Sequence, residues 1–245
     1  MRSSPEGGAF IRVVETDLAQ PAYTVACDEA LLVARAEGSI PDTLHIYRRS
    51  RPTISLGYFQ SLEDCIDVEL AGELGIEVIR RVSGGSAIYT DPGQLIYCLA
   101  ISADEIPESP RESYPLLCRG VVEALAILGL QAEYRPLNDV EVGGRKISGS
   151  AQTRKRGVVL QHGTLLVDTD LDLMVRLLKA QRDKRWRARS EITTLKEELG
   201  IPPKMKEVRS AMIRGFSISL GRKMAHAPFT RREHELIEGI LKKKI

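Results

Sequence analysis

Two glycine pairs decide how this chain can run. Gly84-Gly85 follows the strand-like run Val78-Ile79-Arg80-Arg81-Val82-Ser83, and Gly143-Gly144 separates Val140-Glu141-Val142 from Arg145-Lys146-Ile147-Ser148. Adjacent glycines permit the positive φ angles of a two-residue hairpin turn and weaken any helix drawn through them. The second pair is therefore read as the turn of a β-hairpin. The first leads from a strand into a loop whose backbone N–H groups can converge on an anion.

Strand patterns, apolar and β-branched or alternating, also occupy residues 10–14, 43–48, 53–57, 75–80 and 94–101. Two more short strands are expected at 158–160 and 164–167. Helical spacing runs through 22–37, 60–74 and 114–128, with Gly129 where a left-handed cap belongs. Helices are also expected over 171–178, capped by Asp168 or Asp170, and over 204–220 and 229–241. Hairpins with interspersed helices and no regular βαβ repeat predict an α+β fold, a mixed or antiparallel sheet flanked by helices. Residues 1–9 read as a flexible tail, 10–245 as one domain, and 180–189 as a very basic excursion.

Composition removes several classes of function. Among 245 residues, 35 basic and 33 acidic side chains leave a net charge of +2, which gives no footprint for nucleic acid. Cys27, Cys65, Cys98 and Cys118 are scattered, with no C-x-x-C pair, so a zinc site is not expected and reduced, partly buried thiols are. No window approaches the ~20 apolar residues of a membrane span, and the N-terminus lacks a signal-peptide core. A cytoplasmic location is expected.

The loop around Gly84-Gly85 is neither a Walker loop, since no G-K-[ST] follows, nor a Rossmann fingerprint. Taken alone, a tight turn with two solvated arginines explains it as well as an anion cradle does. The lysine segment says more. Period two puts Lys146 and Ser148 on one strand face and Ile147 on the other. An inward lysine needs an anionic partner, such as a phosphate or a substrate carboxylate. Asn138 and Asp139 precede it and offer oxygen ligands for a phosphate-bound Mg²⁺, with Asp139 the candidate metal ligand. The alternative is an edge-strand lysine that discourages aggregation. His162, in Gln161-His162-Gly163-Thr164, is expected in a pocket wall or an orienting role.

Together, Arg80-Arg81-Val82-Ser83-Gly84-Gly85-Ser86-Ala87-Ile88-Tyr89-Thr90-Asp91, Asn138-Asp139 with Gly144-Arg145-Lys146-Ile147-Ser148-Gly149-Ser150-Ala151, and His162-Gly163-Thr164-Leu165-Leu166 resemble the motifs of the lipoate–protein ligase A family. The likeness extends through Asp28-Glu29 and Leu56-Gly57. It implies the catalytic fold shared by lipoate and biotin ligases and a two-step reaction. Lipoate is activated by ATP to lipoyl-AMP, and the acyl group is then passed to a lysine of a carrier. By position, Lys146 would be catalytic. Arg81, Gly84, Gly85, Ser86, Ala87, Ile88 and Tyr89 of the loop, with Asn138, Asp139, Ser148, Gly149, Ala151, His162, Gly163 and Thr164, would line the nucleotide and acyl site. The implied partners are lipoyl carrier domains of 2-oxoacid dehydrogenases or the glycine-cleavage H protein. Two positions depart from the pattern: Ser86 stands for a third glycine and Thr90 for a histidine. Serine's Cβ requires an ordinary φ there. Without a fused accessory domain, the chain also resembles the bipartite type that works with a separate small subunit.

The nearest rival is an octanoyl or lipoyl transferase of the same fold, acting without ATP through a cysteine thioester. Residues 133–138, where its nucleophile is expected, contain no cysteine, so only Cys98 or Cys118 brought near by folding would serve. A non-catalytic binder of lipoyl groups or nucleotide is a further alternative, which retention of Lys146, Asn138 and Asp139 opposes.

Overall fold

The computed structural model describes residues 10–179 and 188–244. The expected tail over 1–9 and most of the basic excursion lie outside the described residues. In chain order the elements are β1 (Phe10–Ala19), α1 (Pro21–Ala36), β2 (Thr43–Arg49), β3 (Thr53–Leu56), α2 (Leu62–Cys65), α3 (Val68–Glu73), β4 (Glu77–Arg80), β5 (Ile88–Thr90), β6 (Gln94–Ser102) and α4 (Pro110–Ile127). There follow β7 (Ala132–Arg135), β8 (Asp139–Val142), β9 (Arg145–Lys155), β10 (Val158–Leu166), α5 (Leu171–Leu177), α6 (Leu195–Leu199), α7 (Met205–Leu220), β11 (Lys223–His226) and α8 (Arg231–Lys244).

Eight strands form one mixed sheet in the order β11-β1-β2-β6-β10-β9-β8-β7, and β4-β3-β5 form a second, smaller sheet. The large sheet is buried on both faces, and β6 shows how. Its Leu95, Tyr97, Leu99 and Ile101 pack under α4 and α7, while Ile96, Cys98 and Ala100 pack with Leu31 and Leu32 of α1. Alternate residues thus feed two cores, as a period of two requires. The small sheet, with α3 and α5, builds its own apolar cluster from Ile54, Leu56, Tyr89, Leu166 and Leu177.

The glycine turns behave as their chemistry demands. Gly143 and Gly144 both take positive φ, 56° and 76°, and join β8 to β9. Gly129 has φ 87° just past α4, where Leu130 N donates to Leu125 O at 2.9 Å, closing the helix. Asp170, not Asp168, caps α5, its side chain accepting from Leu173 N at 2.9 Å.

Three expectations need correction. Residues 60–74 are two short helices, because Ile66 is extended to bridge Leu178 and Asp67 caps a new helix at Leu70 N. Residues 158–167 do not hold two strands but one continuous β10, paired along its length with β6 and β9. It passes through Gly163 because a Cβ there would lie 2.7 Å from the Tyr97 ring and hydroxyl and 2.8 Å from Gly149 O. Lys146 and Ser148 do not share a face. The register slips between Val140, opposite Ser148, and Glu141, opposite Lys146, so that Ile147 is the extra residue of a bulge.

Candidate functional site

A cavity of about 480 Å³ opens between the small sheet and the part of the large sheet that α1 leaves uncovered. Lys146, on β9 of the large sheet, and Gly85, in the loop between β4 and β5 of the small one, both border it. Arg81, Ser86, Ala87, Ile88, Tyr89, Asn138, Asp139, Gly149, Ala151, His162, Gly163 and Thr164 line it as well. Two expected residues do not. The bulge leaves Ser148 buried and off the wall, and Gly84 sits behind the loop, its carbonyl accepting from Arg81 Nη2 at 2.8 Å.

Lys146 is held at the mouth by Asp139, with Nζ 2.8 Å from Oδ1, and its side chain is 30% exposed. It is therefore not an edge lysine reaching into bulk water. Gly149 makes the room: a Cβ at that position would come within 2.8 Å of Lys146 Nζ and 2.9 Å of Cε. The small-residue run after the lysine thus accommodates the lysine itself. Asn138 clamps the same strand, its amide donating to Ser150 O and its carbonyl accepting from Ser150 N at 3.0 Å. Among the described residues one group of three or more metal-ligating side chains occurs, Asp28, Cys98 and His162, and Asp139 is not part of it.

The two loop arginines are held by protein oxygens. Arg80 Nη1 donates to the carbonyls of Gly57, Tyr58 and Gln60. Arg81, 6% exposed, donates to Ser55 O at 2.7 Å, to Gly84 O and Ser86 O at 2.8 Å and to Ser83 Oγ at 3.1 Å. Both guanidinium groups thus bind backbone carbonyls of the neighbouring loops and strand. Burial, then the positive charge of Arg49, pushes the Arg81 pKa down to about 10. Ser86 is not among the positive-φ residues, so its Cβ is accommodated without strain, whereas Gly85 has φ 93°. Gly57 admits the loop: its Cβ would meet Gly85 O at 2.0 Å.

Behind the loop lies a buried polar chain. Ser83 Oγ is 2.6 Å from His162 Nε2, and His162 Nδ1 is 3.1 Å from Asp28 Oδ2. Tyr47 donates to the same Asp28 oxygen at 3.1 Å, and His45 Nδ1 stands 3.6 Å from Oδ1. Burial alone would raise the Asp28 pKa, but the His162 hydrogen bond and the facing His45 outweigh it and hold the carboxyl well below the usual range. His162 thus lines the cavity and joins the Asp28 carboxylate to the loop serine.

Sequence reasoning missed Tyr47, Arg49, Cys65 and Arg135, all of which line the cavity. Asp28 carried a usable signal, a carboxylate on the apolar face of α1 between Val25 and Leu32. For Arg49 the only hint was that one of two adjacent arginines on a strand must face inward. Of the cysteines, Cys27, Cys98 and Cys118 are buried off the cavity, with burial pushing Cys118 up to about 11. Cys65 alone reaches the wall, its thiol also raised by burial and then by Asp64.

No described helix is long and apolar enough to cross a membrane. Octanoyltransferase LipM of Symbiobacterium thermophilum is 32% identical over 262 residues, covering 95% of this chain and 94% of its own. The same enzyme of Kyrpidia tusciae is 32% identical over 261 residues, covering 95% of each. A crystal structure of lipoate-protein ligase A bound with ATP superposes with a TM-score of 0.84 at 29% identity, covering 96% of this chain and 95% of that one. A bi-partite lipoate protein ligase from Thermoplasma acidophilum, described with its E2 lipoyl domain, gives a TM-score of 0.83 at 29% identity, covering 96% and 93%. Residues 20–217 match the model of the lipoyl protein ligase A/B catalytic domain, and the chain belongs to that family of ligases and transferases.

Proposed function

We propose that this chain is an ATP-dependent lipoate–protein ligase. The observation that carries the proposal is the Lys146 ammonium, fixed by Asp139, facing one cavity with the Gly85 loop. A carboxylic acid bound with its head at Lys146 attacks the α-phosphorus of ATP, releasing pyrophosphate and leaving an acyl-adenylate. The amine of a carrier lysine then attacks the acyl carbonyl, and AMP departs. Lys146 stabilises negative charge on the carboxylate in the first step and on the acyl carbonyl oxygen in the second, and the rest is positioning. The similarity to a ligase bound with ATP supports the nucleotide. A protein-held Mg²⁺ does not fit as well. Asp139 is bonded to Lys146 and belongs to no larger ligand group among the described residues, so no step is assigned to the metal.

The carrier would be a lipoyl domain of a 2-oxoacid dehydrogenase or the glycine-cleavage H protein, in keeping with the E2 lipoyl domain of the archaeal neighbour. A separate accessory subunit, as in bipartite ligases, would complete adenylation. The test is acid-dependent pyrophosphate release by the full chain, with and without a candidate accessory subunit. Release that vanishes in Lys146→Ala supports the ligase. Absence of release under both conditions overturns it.

A second reading follows from the relatives named octanoyltransferase, namely acyl transfer between carriers through a cysteine thioester. Residues 133–138 carry no thiol, so Cys65 on the cavity wall is the residue to test. An acyl adduct seen by intact mass after incubation with an octanoylated carrier, and lost in Cys65→Ser, would favour this reading.

A further inference from the structure

A buried cation without a counter-ion is costly unless something meets it. Arg49, at the end of β2, is 4% exposed and lines the cavity. Its Nε donates to Thr24 Oγ1 at 3.1 Å and its Nη1 to Thr90 Oγ1 at 2.9 Å, both neutral partners. Among the described residues no carboxylate stands within ion-pair distance of it, and Nη2 makes no hydrogen bond. Asp28, on the same wall, directs Oδ2 to Tyr47 and His162 and makes no ion pair with Arg49. Arg81 is close enough for the charge of Arg49 to depress its pKa, so two cations stand together at this end of the cavity, beside the Asp28 carboxylate.

The sheet order places this end far from the lysine. Strands β6 and β10 separate β2 from β9, three strand spacings or roughly 14 Å. That separation lets an eight-carbon acid with its carboxylate at Lys146 approach Arg49 when its tail runs across the strands. We infer that Arg49 selects acids whose far end carries a hydrogen-bond acceptor over acids that end in a plain alkyl chain. An alkyl terminus strips water from the free guanidinium N–H groups and returns nothing, leaving donors unsatisfied. A dithiolane offers weakly accepting sulfurs, and a terminal carboxylate offers a full charge-assisted partner. Thr90, which stands where the family motif has histidine, bonds Arg49 from the other side and fixes its direction.

The inference rests on the proposed function only for the placement of the acid's head at Lys146. It is tested by calorimetric binding of octanoate, lipoate and octanedioate to the full chain, without ATP. The wild type is expected to bind octanedioate tightest and lipoate next, with the diacid ahead of octanoate by about 10- to 100-fold, the range of a hydrogen bond to a charged group. Arg49→Met should abolish that order, and Arg49→Lys, which keeps the charge, should preserve the preference for the diacid. Octanoate binding as tightly as the other two, an order unchanged in Arg49→Met, or no binding of any acid would overturn the inference. The expected order without pyrophosphate release would instead leave the selectivity standing and remove the ligase reading.

Discussion

Lys146 depends on a neighbour that cannot carry a side chain. A Cβ at Gly149 would overlap Nζ and Cε, the mobile end of the lysine, and would also lie 3.3 Å from Asp139 Oδ1. Gly149→Ala therefore moves the ammonium away from its fixed place without disturbing the core. Its expected signature is a fall in kcat of about 10²-fold, the scale of a small misplacement of a reacting group. The unfolding free energy should change by under about 1 kcal/mol. Steady-state pyrophosphate release together with urea unfolding measures both. Loss of stability with activity per folded molecule intact would show that Gly149 serves the strand and not the lysine.

At the scale of elements, α4 and α7 meet backbone to backbone, and glycine again permits it. A Cβ at Gly215 would lie 2.2 Å from Gly120 O and 2.6 Å from Ala124 N, both backbone atoms that cannot turn aside. Gly215→Ala must then push the helices apart over Leu117, Val121 and Phe216, which fill the core beneath them. The expected cost is about 1–3 kcal/mol or more, as for other overpacked cores, read as a lower urea midpoint. A wild-type midpoint would refute the close-contact account. The cavity lies on the other face of the large sheet, so the acid-binding order should not change.

Gly57→Ala is the complementary case. Its Cβ would strike Gly85 O at 2.0 Å, so it should displace the loop and weaken nucleotide binding by about 10-fold or more with only a small loss of stability. Equilibrium titration with a fluorescent ATP analogue checks this, and unchanged affinity would detach the loop from nucleotide binding. Elements of this kind were legible in the sequence where period and turn chemistry agree: α1, the α4 cap at Gly129, and the diglycine hairpin. The bulge at Ile147 was not, because one extra residue reverses strand parity without leaving a compositional trace. For the same reason Ser148 was wrongly placed in the cavity, while Lys146 was placed in it correctly.

At the scale of the whole molecule, Asp28 ties together parts that are distant in sequence. Its carboxylate bonds Tyr47 of β2 and His162 of β10, and His162 continues to Ser83 of the Gly-rich segment. Motif order revealed the Ser83 and His162 segments, but only folding joins them through a helix residue, so this linkage could not be read from spacing. It makes a pH prediction. The folded-state pKa of Asp28 lies below the unfolded value of about 3.9, so the unfolded chain takes up a proton first as the solution is acidified. The stability that Asp28 contributes is complete above about pH 5 and declines as pH falls through 4 and below. Asp42 and Glu233, depressed in the same direction against burial by Arg222, Arg35 and Arg12, add to the acid limb. Asp91, raised by burial, acts oppositely: it contributes most when protonated and loses that contribution as pH rises past its unfolded value. Asp28→Asn should cost about 1–3 kcal/mol at pH 7, the penalty for disrupting a buried hydrogen-bonded charge. The gap from wild type should narrow between pH 5 and 3, because the parent loses there what the variant already lacks. Urea midpoints of both proteins across that range decide it, since a gap that stays constant would mean that folding does not shift the Asp28 pKa.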